Sequence, residues 1–232
     1  MAIGTFVRGV EKSFSASFGD IVFGMEDGTV SIFGLVFGVA ASAHSSAPVL
    51  LAGATGAIAA AVSMMAGTYL DASTTRDQAG VSIAQEKAEV EQKPQEEEQE
   101  VSQRLLGAGF SQQDATTIID ILRRTPNALL REETAFELQL GSNIQRNPWV
   151  QSLWMFVADL IAASIPVIPF ALLPIASARI VSVIVTAALL ILLGIGRGVV
   201  AKRNLFVTVV ETVGIASAAA LAGFLISKLI TG

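Results

Sequence analysis

Five long apolar stretches limit what this chain can fold into. They cover roughly residues 18–41, 48–71, 149–173, 176–198 and 205–230. Each is long enough for a helix to cross the hydrocarbon core of a bilayer, which takes about 20 apolar residues. Because a backbone in lipid must satisfy its own hydrogen bonds, we predict five transmembrane α-helices and an all-α membrane protein.

The composition agrees with a multi-pass integral membrane protein that is surrounded by a lipid bilayer. Hydrophobic residues make up 52% of the 232 residues and charged residues only 15%, which is low for a soluble domain. Cysteine is absent, so disulfides and thiolate metal sites are excluded. No basic patch suits nucleic acid. His44 is the one histidine, and no nucleophile–base pair or phosphate loop is evident, so we predict that the chain is not an enzyme.

A polar segment, residues 72–148, separates the second and third apolar stretches. The predicted domains are 1–71, with helices one and two; 72–148, a small helical domain; and 149–232, with helices three to five. Positive residues accumulate on the cytoplasmic side of membrane proteins. Five spans put most basic residues on one side, namely Arg8, Lys12, Arg76, Lys87, Arg146, Arg197, Lys202 and Arg203. We therefore predict that the N-terminus and residues 72–148 are cytoplasmic.

The first span holds three acids, and two of them, Glu26 and Asp27, lie well inside it, where lipid would reject them. A carboxylate at the bilayer centre costs on the order of 3 kcal/mol. Asp27 lies next to a face of small residues that recur at spacings of three and four, Gly24, Gly28, Ser31, Gly34 and Gly38. Such faces allow close helix–helix contact. We therefore expect Asp27 to face protein or water.

The second span adds a thioether, and other spans add acids. Met64 lies beside a second small face, Gly53, Gly56, Ala60, Ser63 and Gly67. Packing alone is the simpler explanation of Met64, but next to an intramembrane carboxylate a thioether favours a transition metal over Mg²⁺ or Ca²⁺. With Asp159 and Glu211, the acids Glu26 and Asp27 are candidates for an ion or proton path. The alternative is that each is a structural acid, which either reaches the membrane interface with its side chain or is satisfied by an ion pair.

Glutamates crowd the polar segment. Glu86 and Glu89 are three residues apart, as are Glu97 and Glu100, so each pair shares a helix face. Pro94 lies between the pairs and should end the first helix. If the two helices meet across it, four carboxylates converge, and they would repel one another without a bound divalent metal. The alternative is a solvated acidic linker, and the sequence leaves both open.

The rest of this segment predicts further short helices. Gly107 or Gly109 ends one helix, Ser111 caps the next, and Pro126 lies in the first turn of the last. That last helix offers more oxygen ligands, Glu132, Glu133 and Glu137. With neither histidine nor cysteine in the segment, its metal chemistry would be carboxylate chemistry.

These motifs together carry a resemblance. "DIVFGMEDGTVSIFGLVFGVA" and "LLAGATGAIAAAVSMMAGTYL", followed by the glutamate-rich insert, resemble the vacuolar iron transporter family. "SIPVIPF", "GIGRG" and "VETVGIASA" extend the similarity over essentially the whole chain. The resemblance implies five transmembrane helices with a cytoplasmic metal-binding domain between the second and third. It also implies a homodimer that exports Fe²⁺, and often Mn²⁺, from the cytosol in exchange for H⁺ along a path between its subunits.

The resemblance also assigns roles to residues of this chain. The family's intramembrane metal ligands match Asp27 and Met64. Its cytoplasmic ligands match Glu86, Glu89, Glu97, Glu100 and Glu137. No prosthetic group is implied, since Fe²⁺ or Mn²⁺ is both substrate and bound ligand. The membrane would be the plasma membrane in a prokaryote and the vacuolar membrane in a eukaryote.

The chain also departs from the family pattern. Gly56 and Thr68 stand where some relatives carry glutamates, which bears on proton coupling. Glu133 and Thr134 replace a methionine pair, so the cytoplasmic site gains a hard oxygen ligand. Two rival functions stay open: transport of another divalent cation, and a membrane-anchored metal sensor or buffer that transports nothing.

Overall fold

The structure is a computed structural model, and it describes residues 13–14, 17–125, 127–137 and 147–231. Among these residues there are helices and turns but no strands. The helices are α1 (Phe18–Ser42), α2 (Ser46–Gln92), α3 (Pro94–Gly107), α4 (Gln112–Arg124), α5 (Ala128–Glu137), α6 (Pro148–Ser164), α7 (Ile168–Leu172), α8 (Ile175–Val200) and α9 (Leu205–Thr231). The predicted all-α class is confirmed.

The chain divides into two compact units. We call Met1–Leu70 with Asn147–Gly232 the apolar unit, and Asp71–Arg146 the polar unit. Helix α2 contributes its first part to the apolar unit and its second part to the polar unit.

Four helices of the described residues are long and apolar enough to cross a membrane: α1, α2, α8 and α9. They correspond to predicted spans one, two, four and five. The predicted third span, 149–173, is not one helix, because α6 has 17 residues and the short α7 follows after a turn. A count of five membrane-spanning helices is therefore not confirmed.

Two prolines explain the division of the third stretch. Pro166 and Pro169 have no N–H to donate, and each ring clashes with the preceding turn. Around them the backbone makes tighter bonds, such as that from the Val167 N–H to the Ser164 carbonyl at 3.1 Å. The Ser182 hydroxyl on α8 donates to the Pro166 carbonyl at 2.7 Å. Side chains commonly satisfy backbone groups freed by proline in this way inside membranes.

Glycines at the start of α1 let α6 approach closely. A Cβ atom on Gly24 would lie 2.5 Å from the sulfur of Met155. One on Gly28 would overlap the carboxyl group of Asp159. Both glycines are buried. The contact therefore depends on their lacking side chains, which places the Asp159 carboxyl against the backbone of α1.

The other end of the same face packs on α9. A Cβ atom on Gly38 would lie 2.7 Å from the Gly223 carbonyl oxygen, and one on Gly34 would lie 3.1 Å from the Ala219 carbonyl oxygen. The predicted small face of α1 is thus a packing face at all four glycines, whereas Ser31 is exposed.

Helix α2 is covered only in part within the described apolar unit. Gly53 packs against Val36 and Val167. Further along its small face, Ser63 and Gly67 are exposed. Large apolar side chains on the same helix are also exposed, among them Leu51, Ile58, Val62 and Leu70.

The polar unit follows the local signals in its sequence. Helix α3 begins at Pro94, after the break that Pro94 predicts. Gly109 adopts the left-handed conformation, with φ at 96°, just beyond the end of α3. The Ser111 side chain accepts a hydrogen bond from the Asp114 N–H at 3.2 Å, so the predicted N-cap is confirmed. Pro126 lies outside the described residues.

We predict that Gly223→Ala lowers the free energy of unfolding of the detergent-solubilised protein by about 1–3 kcal/mol, because a methyl group there overpacks the α1–α9 contact. The added Cβ would overlap the Gly34 carbonyl oxygen. Gly214→Ala on the same helix is the matched control, since nothing lies within 4 Å of its Cβ position. Chemical denaturation measures both variants. Equal stability of the two would contradict the close contact.

Candidate metal-binding sites

Three buried glutamates meet in the polar unit. Glu86 on α2, Glu97 on α3 and Glu133 on α5 are 4%, 6% and 0% exposed. Each offers a carboxylate oxygen within 4.8 Å of the others. A hard divalent cation bonds oxygen at about 2.0–2.6 Å, so its ligand oxygens lie up to about 5 Å apart. The spacing of this glutamate cluster therefore suits one such ion.

The membership of the cluster differs from the predicted set. Glu86 and Glu97 come together across the break at Pro94, which is one of the two alternatives that the sequence left open. Glu89 is half-buried and accepts a hydrogen bond from Gln85 at 2.9 Å, while Glu100 is exposed. Positions three apart differ by about 60° around a helix axis, so one member of each pair can point elsewhere. The structure describes the backbone of Glu137 but not its side chain.

Glu133 completes the cluster together with a basic partner. The Arg104 Nη2 atom lies 2.6 Å from Glu133 Oε1 and 2.8 Å from Glu132 Oε2. Burial raises the pKa of the Glu133 carboxyl, although the Arg104 guanidinium acts in the opposite direction. The other oxygen, Glu133 Oε2, is buried without a hydrogen-bond partner among the described residues. Such an oxygen is available to a cation.

A second ion pair in the polar unit involves none of the three glutamates of the cluster. On α4, Arg123 donates to both oxygens of Glu98, at 2.9 Å through Nε and at 2.6 Å through Nη2. This forked contact joins α3 to α4 next to the cluster. The hydrogen bond from Arg123 holds the pKa of Glu98 below its ordinary value.

In the apolar unit, Asp27 lines a cavity of about 320 Å³ together with Glu26 and Arg197. The remaining lining is mostly apolar and comes from α1, α8 and α9, including Val22, Phe23, Val30, Val200 and Ile215. Asp27 is half-buried. It thus lies at a junction of helices, with polar side chains beside it.

Glu26 and Glu211 are held by arginines. Arg197 donates to Glu26 at 3.0 Å and also to Glu211, and Arg203 donates to Glu211 at 2.9 Å. The Thr212 hydroxyl donates to Glu26 at 2.7 Å. This network matches the ion-pair alternative for both glutamates, and their place on an ion path stays a prediction.

Asp159 has a different environment. It is fully buried, and neither carboxyl oxygen has a hydrogen-bond partner among the described residues. It lies against Gly28, close enough to interact electrostatically with Asp27. A buried carboxylate without hydrogen bonds is costly, so a proton or a cation would stabilise it. Met64, half-buried on α2, does not line the cavity that holds Asp27.

The sequence of this chain is similar to one family of known proteins over most of its length. The sequence model of the VIT family matches residues 18–228. Vacuolar iron transporter 1 of Arabidopsis thaliana is 29% identical over 223 residues, which are 95% of this chain and 89% of the relative. Vacuolar iron transporter of Centaurea cyanus is 30% identical over 210 residues, which are 90% of this chain and 86% of the relative. These relatives are named as transporters, in line with the prediction that the chain is not an enzyme.

We predict that Glu98→Gln lowers the melting temperature of the metal-free protein at pH 7, because the charged Glu98 is stabilised by Arg123. A carboxyl with a lowered pKa stabilises the fold fully above its ordinary value of 4.5. That contribution disappears as the pH falls through the lowered pKa in the folded protein. Melting curves of the variant and the unaltered protein should therefore converge at pH values below that lowered pKa.

Glu91→Gln is the control for that comparison, since Glu91 is an exposed residue whose pairing with Lys87 spans 3.8 Å. Its melting temperature should follow that of the unaltered protein at every pH. A difference between Glu98→Gln and the unaltered protein that persists unchanged at low pH would contradict the ion-pair explanation.

Proposed function

The chain belongs to the VIT family, and from this membership and its glutamate cluster we propose that it transports divalent iron across a membrane. The relatives are named as vacuolar iron transporters. The observation that carries the proposal is the meeting of three buried carboxylates in a chain whose described residues include four helices fit to span a bilayer. We propose Fe²⁺ as the main substrate and Mn²⁺ as a second one, moved out of the cytosol.

Capture of metal is the first proposed step. Glu86, Glu97 and Glu133 provide oxygen ligands, which suit Mn²⁺ and Fe²⁺ better than soft metals. Glu89, Glu100 and Glu137 would add ligands as the ion arrives. In this proposal the N-terminus and the polar unit lie in the cytoplasm, so that the cluster samples cytosolic metal.

Passage through the membrane is the second step, and we propose that two copies of the chain form the path. Asp27 supplies a carboxylate and Met64 a thioether, a combination that suits a borderline transition metal. In one chain Met64 does not line the cavity of Asp27. The exposed Ser63 and Gly67 on α2 leave a small-residue face on which a second copy could pack closely.

Release is the third step, in exchange for protons. Protonation of a carboxylate ligand weakens metal binding, because a neutral acid is a poor ligand. Among the four path candidates, Asp27 and Asp159 suit this role best, since Glu26 and Glu211 are bound to arginines. Gly56 and Thr68 stand where some relatives carry glutamates, and Asp159 would supply the acidic group that these two residues lack. The membrane would be the plasma membrane in a prokaryote or the vacuolar membrane in a eukaryote.

We predict that Asp27→Asn lowers Fe²⁺ flux into proteoliposomes at least about tenfold, since even changes around a metal ligand cost about 10–100-fold. An Fe²⁺-sensitive dye inside the vesicles reports the flux, and an acidic lumen should accelerate it in the unaltered protein. Asp77→Asn, an exposed acid on α2, is the control and should transport normally.

The outcomes separate the parts of the proposal. Full flux through Asp27→Asn would contradict the role of Asp27. Flux that ignores the lumenal pH would contradict proton exchange alone. Metal binding by the unaltered protein without any flux would favour a sensor or buffer, and faster flux of another divalent cation would reassign the substrate.

A further inference from the structure

A positively charged side chain already occupies the edge of the glutamate cluster. The Arg104 Nη2 atom lies 2.6 Å from Glu133 Oε1, inside the range of distances that separates the cluster oxygens themselves. The Arg104 side chain is only 19% exposed, and that of Glu133 is not exposed at all. The contact is therefore largely shielded from water. An ion pair that is shielded from water is screened much less by salt than an exposed pair.

A guanidinium in this position competes with a metal ion. It cannot lose its proton near neutral pH, so it stays positive under all conditions in which the carboxylates can bind metal. A divalent cation that bonds Glu133 would lie within a few ångströms of this charge. The two cations repel each other strongly in a site that is poorly exposed to water.

We propose that Arg104 is a built-in counter-ion of the glutamate cluster, which competes with the divalent cation for Glu133 and thereby sets how tightly the cluster binds metal. The inference rests on the proposed capture step in that same cluster. It concerns Arg104, which acts on metal through Glu133 and does not itself bind the ion.

Glu132 gives the guanidinium a second carboxylate with which it can form an ion pair. The same Nη2 atom lies 2.8 Å from Glu132 Oε2, and the Glu132 side chain is 35% exposed. When metal takes Glu133, Arg104 can keep its contact with Glu132 and stay paired. Glu132 therefore favours metal binding indirectly, because it lowers the cost of moving the guanidinium away from Glu133.

The test is a calorimetric titration of the full-length protein in detergent with Mn²⁺. The component of binding that belongs to the cluster is the one lost in Glu97→Gln. Arg104→Gln should tighten this component about tenfold or more, since one unit charge at contact distance is worth at least that much away from bulk water. Arg104→Lys keeps the positive charge and should tighten this component less than Arg104→Gln does.

Arg123→Gln is the matched control. Arg123 makes a similar contact at 2.6 Å with Glu98, which is not a member of the cluster. Its loss should leave Mn²⁺ affinity unchanged. Glu132→Gln should weaken Mn²⁺ binding, and this effect should vanish when Arg104→Gln is already present, because both act through the same contact.

Thermal melting separates competition from simple stabilisation. If Arg104 competes with metal, Arg104→Gln lowers the melting temperature without Mn²⁺ but gains more than the unaltered protein when Mn²⁺ is added. If Arg104 only stabilises the fold, Arg104→Gln lowers the melting temperature by the same amount with and without Mn²⁺. The affinity of the protein for Mn²⁺ is then unchanged. The second result would overturn the inference.

The remaining outcomes are also decisive. An affinity of Arg104→Gln that equals or falls below that of the unaltered protein would overturn the inference and leave metal capture intact. Absence of any binding component sensitive to Glu97→Gln would overturn the capture step and this inference together. Should Arg104→Gln not fold, Glu132→Gln carries the test, and an unchanged affinity of that variant would overturn the inference.

Discussion

A carboxylate removed from water must be compensated, and this constraint governs the chemistry of the whole chain. The protein meets it in different ways. Glu26 is satisfied by Arg197 and a threonine hydroxyl. Glu133 shares Arg104 with a neighbouring acid, and one of its oxygens lacks a hydrogen bond among the described residues. Asp159 is buried, and neither of its carboxyl oxygens has a hydrogen-bond partner among the described residues. The last two environments are those in which a proton or a metal ion has most to contribute.

Glycine supplies the means by which such acids are buried. Because Gly28 has no side chain, α6 approaches α1 until the Asp159 carboxyl lies against the helix backbone. The polar unit uses a different device. Its helix break at Pro94 turns the chain so that glutamates from separate helices share one place. In each unit a residue that has no ionisable side chain determines where the charged groups lie. Gly28 does so for Asp159, and Pro94 does so for the glutamate cluster.

Much of this could be predicted from the sequence because it depends on local rules. Apolar length predicted the four described helices that are long and apolar enough to span a membrane, and Pro94 and Ser111 marked ends of helices in the polar unit. Apolar length does not reveal the break near Pro166, because that break depends on two prolines inside an otherwise continuous apolar stretch. The pairing of Arg104 with Glu133 joins residues on different helices. No local pattern encodes such a contact, so it required the tertiary structure.

We propose that a divalent metal ion balances the carboxylates of the glutamate cluster and of Asp27. Crystals soaked in Mn²⁺ or Fe²⁺ test it most directly, because anomalous scattering at the metal absorption edge locates the ion without assumptions about its ligands. We predict an anomalous peak among the carboxylates of Glu86, Glu97 and Glu133, and a second one in contact with Asp27. Metal-soaked crystals in which those carboxylates stay in place, with no anomalous peak at either position, would contradict it.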